Sequence, residues 1–318
     1  EEEGHEQINY AIDKGVNFLD TAELYPVPAH KDRYAATEKV IGNWFKKNGN
    51  REDIVLASKI AGKADMTKFI RTTGFTKESI IDAVEGSLQR LQTDYIDLYQ
   101  LHWPDRSTNY FGQRGYKHDI SDHWEDNIHQ VLETMLDLIR EGKIKHVGIS
   151  NETPWGTMRF LEESKVHGTL PRTITVQNPY SLLNRLFEVG IADIAMREQV
   201  GLLAYSPMGF GALSGKYLGD RMPEGSRLSL FPQYNRYIGD TAVEATKRYY
   251  DLAQTNGLSL AQMALAFVNS RPFVISTIIG ATSIRQLEEN IGSIDVDLSD
   301  DIIQQIEGIH NSIPNPAP

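Results

Sequence analysis

Cysteine is absent from the 318 residues, which excludes disulfides, thiolate metal sites, thiol nucleophiles and redox dithiols, and fits a reducing compartment. Excess positive charge is missing too. The 32 basic residues against 43 acidic ones give a net charge of −11, with the acidic residues spread along the chain. Such a surface repels phosphate backbones and anionic lipid, so nucleic acid and membrane are disfavoured as partners. No apolar run approaches the roughly 18 residues of a membrane span. The opening residues Glu1, Glu2, Glu3 and Gly4 carry neither the basic nor the apolar part of a signal peptide, so a cytoplasmic location is expected. What is present, 40% hydrophobic and 24% charged residues, is the composition of a soluble globular chain.

Seven short apolar runs alternate with stretches of helical period, and no Pro- or Gly-rich linker divides them. The runs are Val16 to Asp20, Ile54 to Lys59, Ile96 to His102, His146 to Asn151, Ile174 to Asn178, Leu202 to Ser206 and Ser276 to Thr282. Between them, sets such as Val40, Ile41, Trp44 and Phe45, or Val131, Leu132, Met135 and Leu138, follow the i, i+3, i+4 spacing of a one-sided helix. Gly15 and Gly142 fall at C-caps, Thr153 and Pro154 at an N-cap and first helical position, and Ser259 with Gln262 in a capping box.

Strand then helix, repeated, predicts a parallel sheet, either doubly wound or closed as a (β/α)8 barrel. The G-x-G-x-x-G fingerprint of the doubly wound dinucleotide fold is absent after the first run. Each run also ends in polar or small residues, and a barrel gathers such ends on one face, where sites are built. We therefore expect a single-domain barrel over residues 1–318 whose first strand is missing from the chain, since a helix opens it and no Met initiates it. Two irregular stretches, about 105–122 and 208–239, are expected as loops on the active face.

Asp20, Tyr25, Lys59 and His102 stand at or just beyond successive run ends. Any one of them alone is more often structural, but together their chemistry is coherent. A phenol has a reference pKa of about 10, and an ammonium within about 4–6 Å lowers it by roughly 1–3 units. Tyr25 would then donate a proton, Lys59 would be kept charged by Asp20, and His102 would hydrogen-bond a carbonyl oxygen. This is a site for adding hydride to C=O while protonating the oxygen.

These residues resemble the aldo-keto reductase family. Phe18 to Tyr25 (F-L-D-T-A-E-L-Y) is similar to its Asp and Tyr motif, Ser58 and Lys59 to its lysine strand, and Leu101, His102, Trp103 and Pro104 to its histidine strand. The likeness runs to about Asn290, and within the family it is greatest to Tas-like bacterial members and more distant to potassium-channel β subunits. It implies a catalytic tetrad of Asp20, Tyr25, Lys59 and His102, with Tyr25 as general acid in the NADPH-dependent reduction of an aldehyde or ketone. Ser150, Asn151 and Gln177 resemble residues that hold the nicotinamide carboxamide, and Tyr205 the aromatic that stacks on its ring. Ser206, Pro207, Met208, Gly209 and onward to Lys216 resemble the pyrophosphate segment, and Arg227 a basic residue of the loop. Gly280, Thr282, Gln286, Glu289 and Asn290 match the adenosine-side motif. The resemblance implies NADP(H) over NAD(H), with Lys216 and Arg227 the residues that could meet a 2′-phosphate.

Other readings compete. Ser283 and Gln286 also make a capping box, so Gln286 could serve the helix, the cofactor or both. His118, His123 and His129 near Asp119, Asp122 and Glu125 match no metal-ligand spacing and read as a solvated loop, so no metal is expected. Asp20 with Glu23 could be a glycosidase pair, but that leaves Lys59, Gln177 and Tyr205 without a role. The sequon Asn151-Glu152-Thr153 is taken as chance. Trp103, Tyr110, Phe111 and Tyr116 could be loop packing, but are expected to line an apolar substrate pocket. The rival from another class is an NADP(H)-binding redox sensor with little turnover. Neither oligomeric state nor the particular carbonyl substrate is legible.

Overall fold

The computed structural model describes residues 1–219 and 221–318, so one residue of the expected 208–239 loop, Asp220, lies outside the described residues. The chain groups into two compact units, Glu1–Tyr110 with Gly115–Gln177, and Phe111–Arg114 with Asn178–Pro318.

The first unit alternates helix and strand: α1 (Glu2–Asp13), β1 (Phe18–Asp20), α2 (Ala36–Asn48), β2 (Val55–Ile60), α3 (Lys77–Leu91), β3 (Ile96–Leu101), α4 (Ile128–Arg140), β4 (Ile144–Ser150), α5 (Pro154–Val166) and β5 (Thr173–Pro179), whose last two residues belong to the second unit. The strands pair in sequence order and in parallel, as strand–helix repetition requires. The periodic residues face inward. Ile80, Val84 and Leu91 of α3, and Val131, Leu132, Met135 and Leu138 of α4, are all buried, and each such side chain contributes about 1.5–3 kcal/mol of transfer free energy. Helix α2 approaches α3 so closely that a Cβ on Gly42 would stand 2.2 Å from the Arg90 carbonyl oxygen. Alongside, the buried Glu38 carboxylate accepts from Arg90 Nε and Ser58 Oγ, each at 2.6 Å, tying α2 to α3 and β2. The punctuation falls as expected here: Gly15 and Gly142 follow helix ends with φ of +87° and +74°, and Thr153 Oγ1 accepts from the Gly156 N–H with Pro154 opening α5.

The second unit contains α6 (Phe187–Glu198), β6 (Gly201–Tyr205), α7 (Arg227–Leu230), α8 (Asp240–Thr255), α9 (Leu260–Asn269), β7 (Val274–Thr277), α10 (Ile284–Ile291) and α11 (Asp300–Ser312), with β6 and β7 parallel. The last strand begins earlier than the apolar run Ser276 to Thr282 implied. Its ladder continues only to the Ile278 N–H, which donates to the Ala204 carbonyl, so Gly280 and Thr282 belong to the connection before α10. The stretch 208–239 is not wholly irregular, since it holds two 3-10 turns and α7, whereas 105–122 carries neither helix nor strand. No described helix is long and apolar enough to cross a membrane.

Candidate active site

Five strands of the first unit deliver the expected residues. Asp20 ends β1, Lys59 is next to last in β2, His102 follows β3, Ser150 ends β4 with Asn151 beyond it, and Gln177 lies within β5. Register explains why they meet. Asp20 pairs with Ala57, two residues before Lys59; Lys59 pairs with Gln100; Ser150 pairs with Gln177.

Lys59 is completely buried, and its Nζ donates to Asp20 Oδ2 at 2.6 Å and to the Thr21 carbonyl at 2.7 Å. The same ammonium lies 5.1 Å from the centre of the Tyr25 ring and is hydrogen-bonded to the Tyr25 side chain. Burial works against the charge on Lys59, yet the attraction of Asp20 and of Tyr25 outweighs it and holds the ammonium above its ordinary pKa. A permanent cation is thereby fixed against a phenol.

The Tyr25 ring meets the His102 ring edge to face, with centroids 5.5 Å apart. Burial, and then the neighbouring Lys59 charge, push His102 well below the usual histidine range, so it stands as neutral imidazole. Its Nδ1 has no hydrogen-bond partner among the described residues. Beside Tyr25, Leu24, Ala61 and Trp103 form a buried apolar cluster against which Tyr110 also packs. Of the four aromatic residues expected at an apolar pocket, Trp103 and Tyr110 therefore flank Tyr25. Tyr116 does not, being 60% exposed and hydrogen-bonded to His118, and Phe111 belongs to the second unit.

Asp20 has its second oxygen occupied as well: Oδ1 accepts from Gln177 Nε2 at 2.9 Å and from Gln100 Nε2 at 3.4 Å. Gln100 was not anticipated. The available signal was a fully buried amide two residues before His102, hence on the same face of β3. Room for it comes from Gly148, where a Cβ would stand 3.0 Å from Gln100 Cγ and 2.4 Å from Thr175 Oγ1.

Ser150 Oγ and the Asn151 N–H both donate to the Gln177 carbonyl, at 2.8 and 2.9 Å, and Asn151 Nδ2 donates to the His102 carbonyl at 2.9 Å. The three residues expected at the nicotinamide are thus one hydrogen-bonded group, directly joined to the tetrad. Asn151 adopts a left-handed backbone with φ of 54°, a conformation that asparagine takes more readily than most L-residues. Glu23, second carboxylate of the glycosidase reading, is instead bound to Arg71 at 2.5 Å and to the Ala61 N–H at 2.6 Å.

The remaining expected positions lie in the second unit. Tyr205 ends β6, and Ser206, just past it, repeats the left-handed turn of Asn151 with φ of 52°. Pro207 and Met208 lead into Gly209 and Gly211, which have φ of +51° and +89°. A Cβ on Gly209 would press on the Tyr237 ring at 3.0 Å, and one on Gly211 on Lys216 Nζ at 2.9 Å, so this segment needs glycine. Arg227 opens α7 with its guanidinium 4.2 Å above the Phe210 ring. Bare backbone with Lys216 and Arg227 close by is a donor set that fits a phosphorylated dinucleotide.

Gly280, Thr282, Gln286 and Asn290 form a second group. Gln286 Oε1 accepts from both the Thr282 N–H and its hydroxyl at 3.1 Å, and Asn290 Nδ2 donates to the Gly280 carbonyl at 3.4 Å. The two uses weighed for Gln286 therefore separate: Ser283 Oγ caps its N–H at 3.3 Å, but its side chain reaches Thr282 and shapes the connection before α10. Glu289 accepts from the hydroxyl of Ser259, the N-cap of α9. His118 and His123 do lie in the irregular segment, whereas His129 does not: it sits in the first turn of α4.

Residues 1–311 match the family model described as Aldo/keto reductase family. The chain is 46% identical to a protein of Escherichia coli K12 named Protein tas, across 100% of this chain and 92% of that protein. It is 42% identical to a Babesia bovis protein named Aldo-keto reductase, over 75% of this chain and 88% of that one. It is also 30% identical, over 96% of this chain and 84% of the other, to a Schizosaccharomyces pombe protein whose name places it among voltage-gated potassium channel β subunits.

Proposed function

The chain belongs to the Aldo/keto reductase family, an oxidoreductase family of (β/α)8 fold class to which its described residues bring seven strands, and from that premise we propose that it reduces aldehydes or ketones with NADPH. The observation that carries the reading is the fully buried Lys59 ammonium, ion-paired to Asp20 and hydrogen-bonded to Tyr25, with neutral His102 edge-on to the same ring.

The bound nicotinamide would supply the hydride. Of the first unit, Ser150, Asn151 and Gln177 would hold its ring; in the second unit, Tyr205, the Ser206 to Lys216 segment, Arg227, Gly280, Thr282, Gln286, Glu289 and Asn290 carry the resemblance to the family's remaining nucleotide contacts. Everything else falls to side chains of the first unit. His102, being uncharged, can donate a hydrogen bond to a carbonyl oxygen without adding a competing proton source. As negative charge grows on that oxygen, Tyr25 gives up its hydroxyl proton, and the phenolate left behind is neutralised by Lys59. Asp20 keeps Lys59 charged throughout, and Gln100 and Gln177 keep Asp20 in place. In oxidation the ionised Tyr25 would take the proton back. A positioned acid of this kind contributes about 10²–10⁴-fold. The apolar wall of Leu24, Ala61 and Trp103 favours a carbonyl carried on an apolar body.

Lys216 and Arg227 support NADPH over NADH as donor, and the cysteine-free, acidic composition supports a cytoplasmic location. The name of the S. pombe relative supports a second reading, a nucleotide-binding subunit in which turnover is incidental. Steady-state oxidation of NADPH against a panel of aldehydes and ketones decides between them. Many turnovers with stoichiometric alcohol support the reductase; tight nucleotide binding with none across the panel supports the subunit.

A further inference from the structure

We propose that His129, Glu163 and His167 form a surface site for a divalent transition-metal ion, Zn²⁺ being the ion whose chemistry fits the donors. The site is separate from the strand-end cluster and does not depend on the carbonyl-reductase reading. His129 stands in the first turn of α4, Glu163 in the last turn of α5, and His167 caps that helix. His129 Nδ1 lies 2.6 Å and His167 Nε2 3.1 Å from the same oxygen, Glu163 Oε1, and the ligand atoms of all three residues fall within 4.8 Å of one another. The rings stand edge to face with centroids 4.6 Å apart, so both nitrogens converge without the rings colliding.

Two imidazoles and one carboxylate are a set that zinc takes at about 2.0–2.2 Å, with water completing the tetrahedron. Binding needs the carboxylate oxygen to part slightly from the two nitrogens as the ion takes its place between them. Both histidines are about half exposed, at 42% and 48%, which leaves them free to turn and water free to enter, while Glu163 is held at 8%. The supporting groups are also present. Glu163 Oε2 is bound by Arg159, whose Nε is itself held by Asp126 at 2.7 Å, so the carboxylate is fixed with Oε1 facing the histidines. The outward nitrogen of His129, Nε2, lies 3.4 Å from Glu133 Oε1, the carboxylate partner that metal-bound histidines commonly have. Arg159 opposes a cation, and Glu133 and Asp126 offset it. A bound ion would clamp α4 to α5.

The test uses the full chain, stripped with a chelator and titrated with Zn²⁺ in competition with a chromophoric chelator. One equivalent should bind, and His129→Ala and His167→Ala should each weaken it on the order of 100-fold or more, with Glu133→Gln giving a smaller loss of about 10-fold. NADPH oxidation by these variants should be unchanged. Unaltered Zn²⁺ affinity in both alanine variants, or no stoichiometric binding by the native chain, would overturn the proposal. Zinc K-edge absorption on the loaded native protein tests it without any variant: two imidazole nitrogens at about 2.0–2.1 Å are expected, and fewer than two would sink it.

Discussion

Replacing Asp20 by Asn removes one charge from a largely buried pair, at almost constant volume. Lys59 is 0% exposed and Asp20 8%, with Nζ and Oδ2 2.6 Å apart. At an effective dielectric constant of about 20, unit charges at that separation attract by roughly 6 kcal/mol. The asparagine oxygen and the Thr21 carbonyl would still accept from Nζ and recover part of this. A loss of about 3–5 kcal/mol is therefore expected, the range seen when one member of a buried pair is deleted.

The pH dependence gives the reasoning a second edge. In the native chain burial opposes the charge on Lys59, but Asp20 and Tyr25 raise it above 10.5. Its stabilising contribution is thus complete below the unfolded value and is lost only as pH climbs past the higher folded one. Without Asp20, burial is opposed by Tyr25 alone, so the folded value moves down. The deficit of Asp20→Asn should then be full at neutral pH and shrink as pH rises toward 10, where Lys59 sheds its proton. Urea unfolding followed by tryptophan fluorescence at pH 7 and pH 9.5 measures both, with the midpoint at pH 7 falling by on the order of 1 M. An unchanged midpoint at pH 7, or a deficit that grows with pH, would refute the argument.

Gly148→Ala should lower turnover by on the order of 10-fold, because the new methyl group meets Thr175 Oγ1 and Gln100 and disturbs the amides that hold Asp20. NADPH oxidation rates check this, and a native rate with Gln100 displaced in a crystal structure would remove Gln100 from its positioning role. His102 should stay neutral through the range in which an ordinary histidine titrates, since burial and Lys59 both depress it. Its neutral form supports the fold above the unfolded value of about 6.5 and progressively less below it. An inflection near pH 6.5 in kcat/KM that His102→Gln abolishes would contradict that assignment.

Much of this arrangement was legible in the sequence because strand ends were marked chemically. A run such as Ile54 to Lys59 is apolar until its last residues, and in a parallel sheet those residues share an edge, so Asp20, Lys59, His102, Ser150, Asn151 and Gln177 converged as expected within the first unit. The periodic helices were equally plain. What escaped was anything set by distant pairing. Gln100 looked like one more residue of a buried strand, and only register with Lys59 shows that it faces Asp20. Glu38 and Arg90 meet because Gly42 lets α2 close on α3, and neither residue announces the other. The apolar run puts the seventh strand late because Ile279 prolongs it beyond the ladder. His129 was grouped with its neighbours in sequence, while its partners Glu163 and His167 arrive from another helix.

The central claim is that Tyr25 delivers the proton and that Lys59 makes it able to. Single-turnover hydride transfer from NADPH to an aromatic aldehyde, in the native chain and in Tyr25→Phe, tests it most directly. The phenylalanine chain should bind NADPH with native affinity, by fluorescence quenching, and transfer hydride on the order of 10²-fold or more slowly. Transfer at the native rate would contradict the claim.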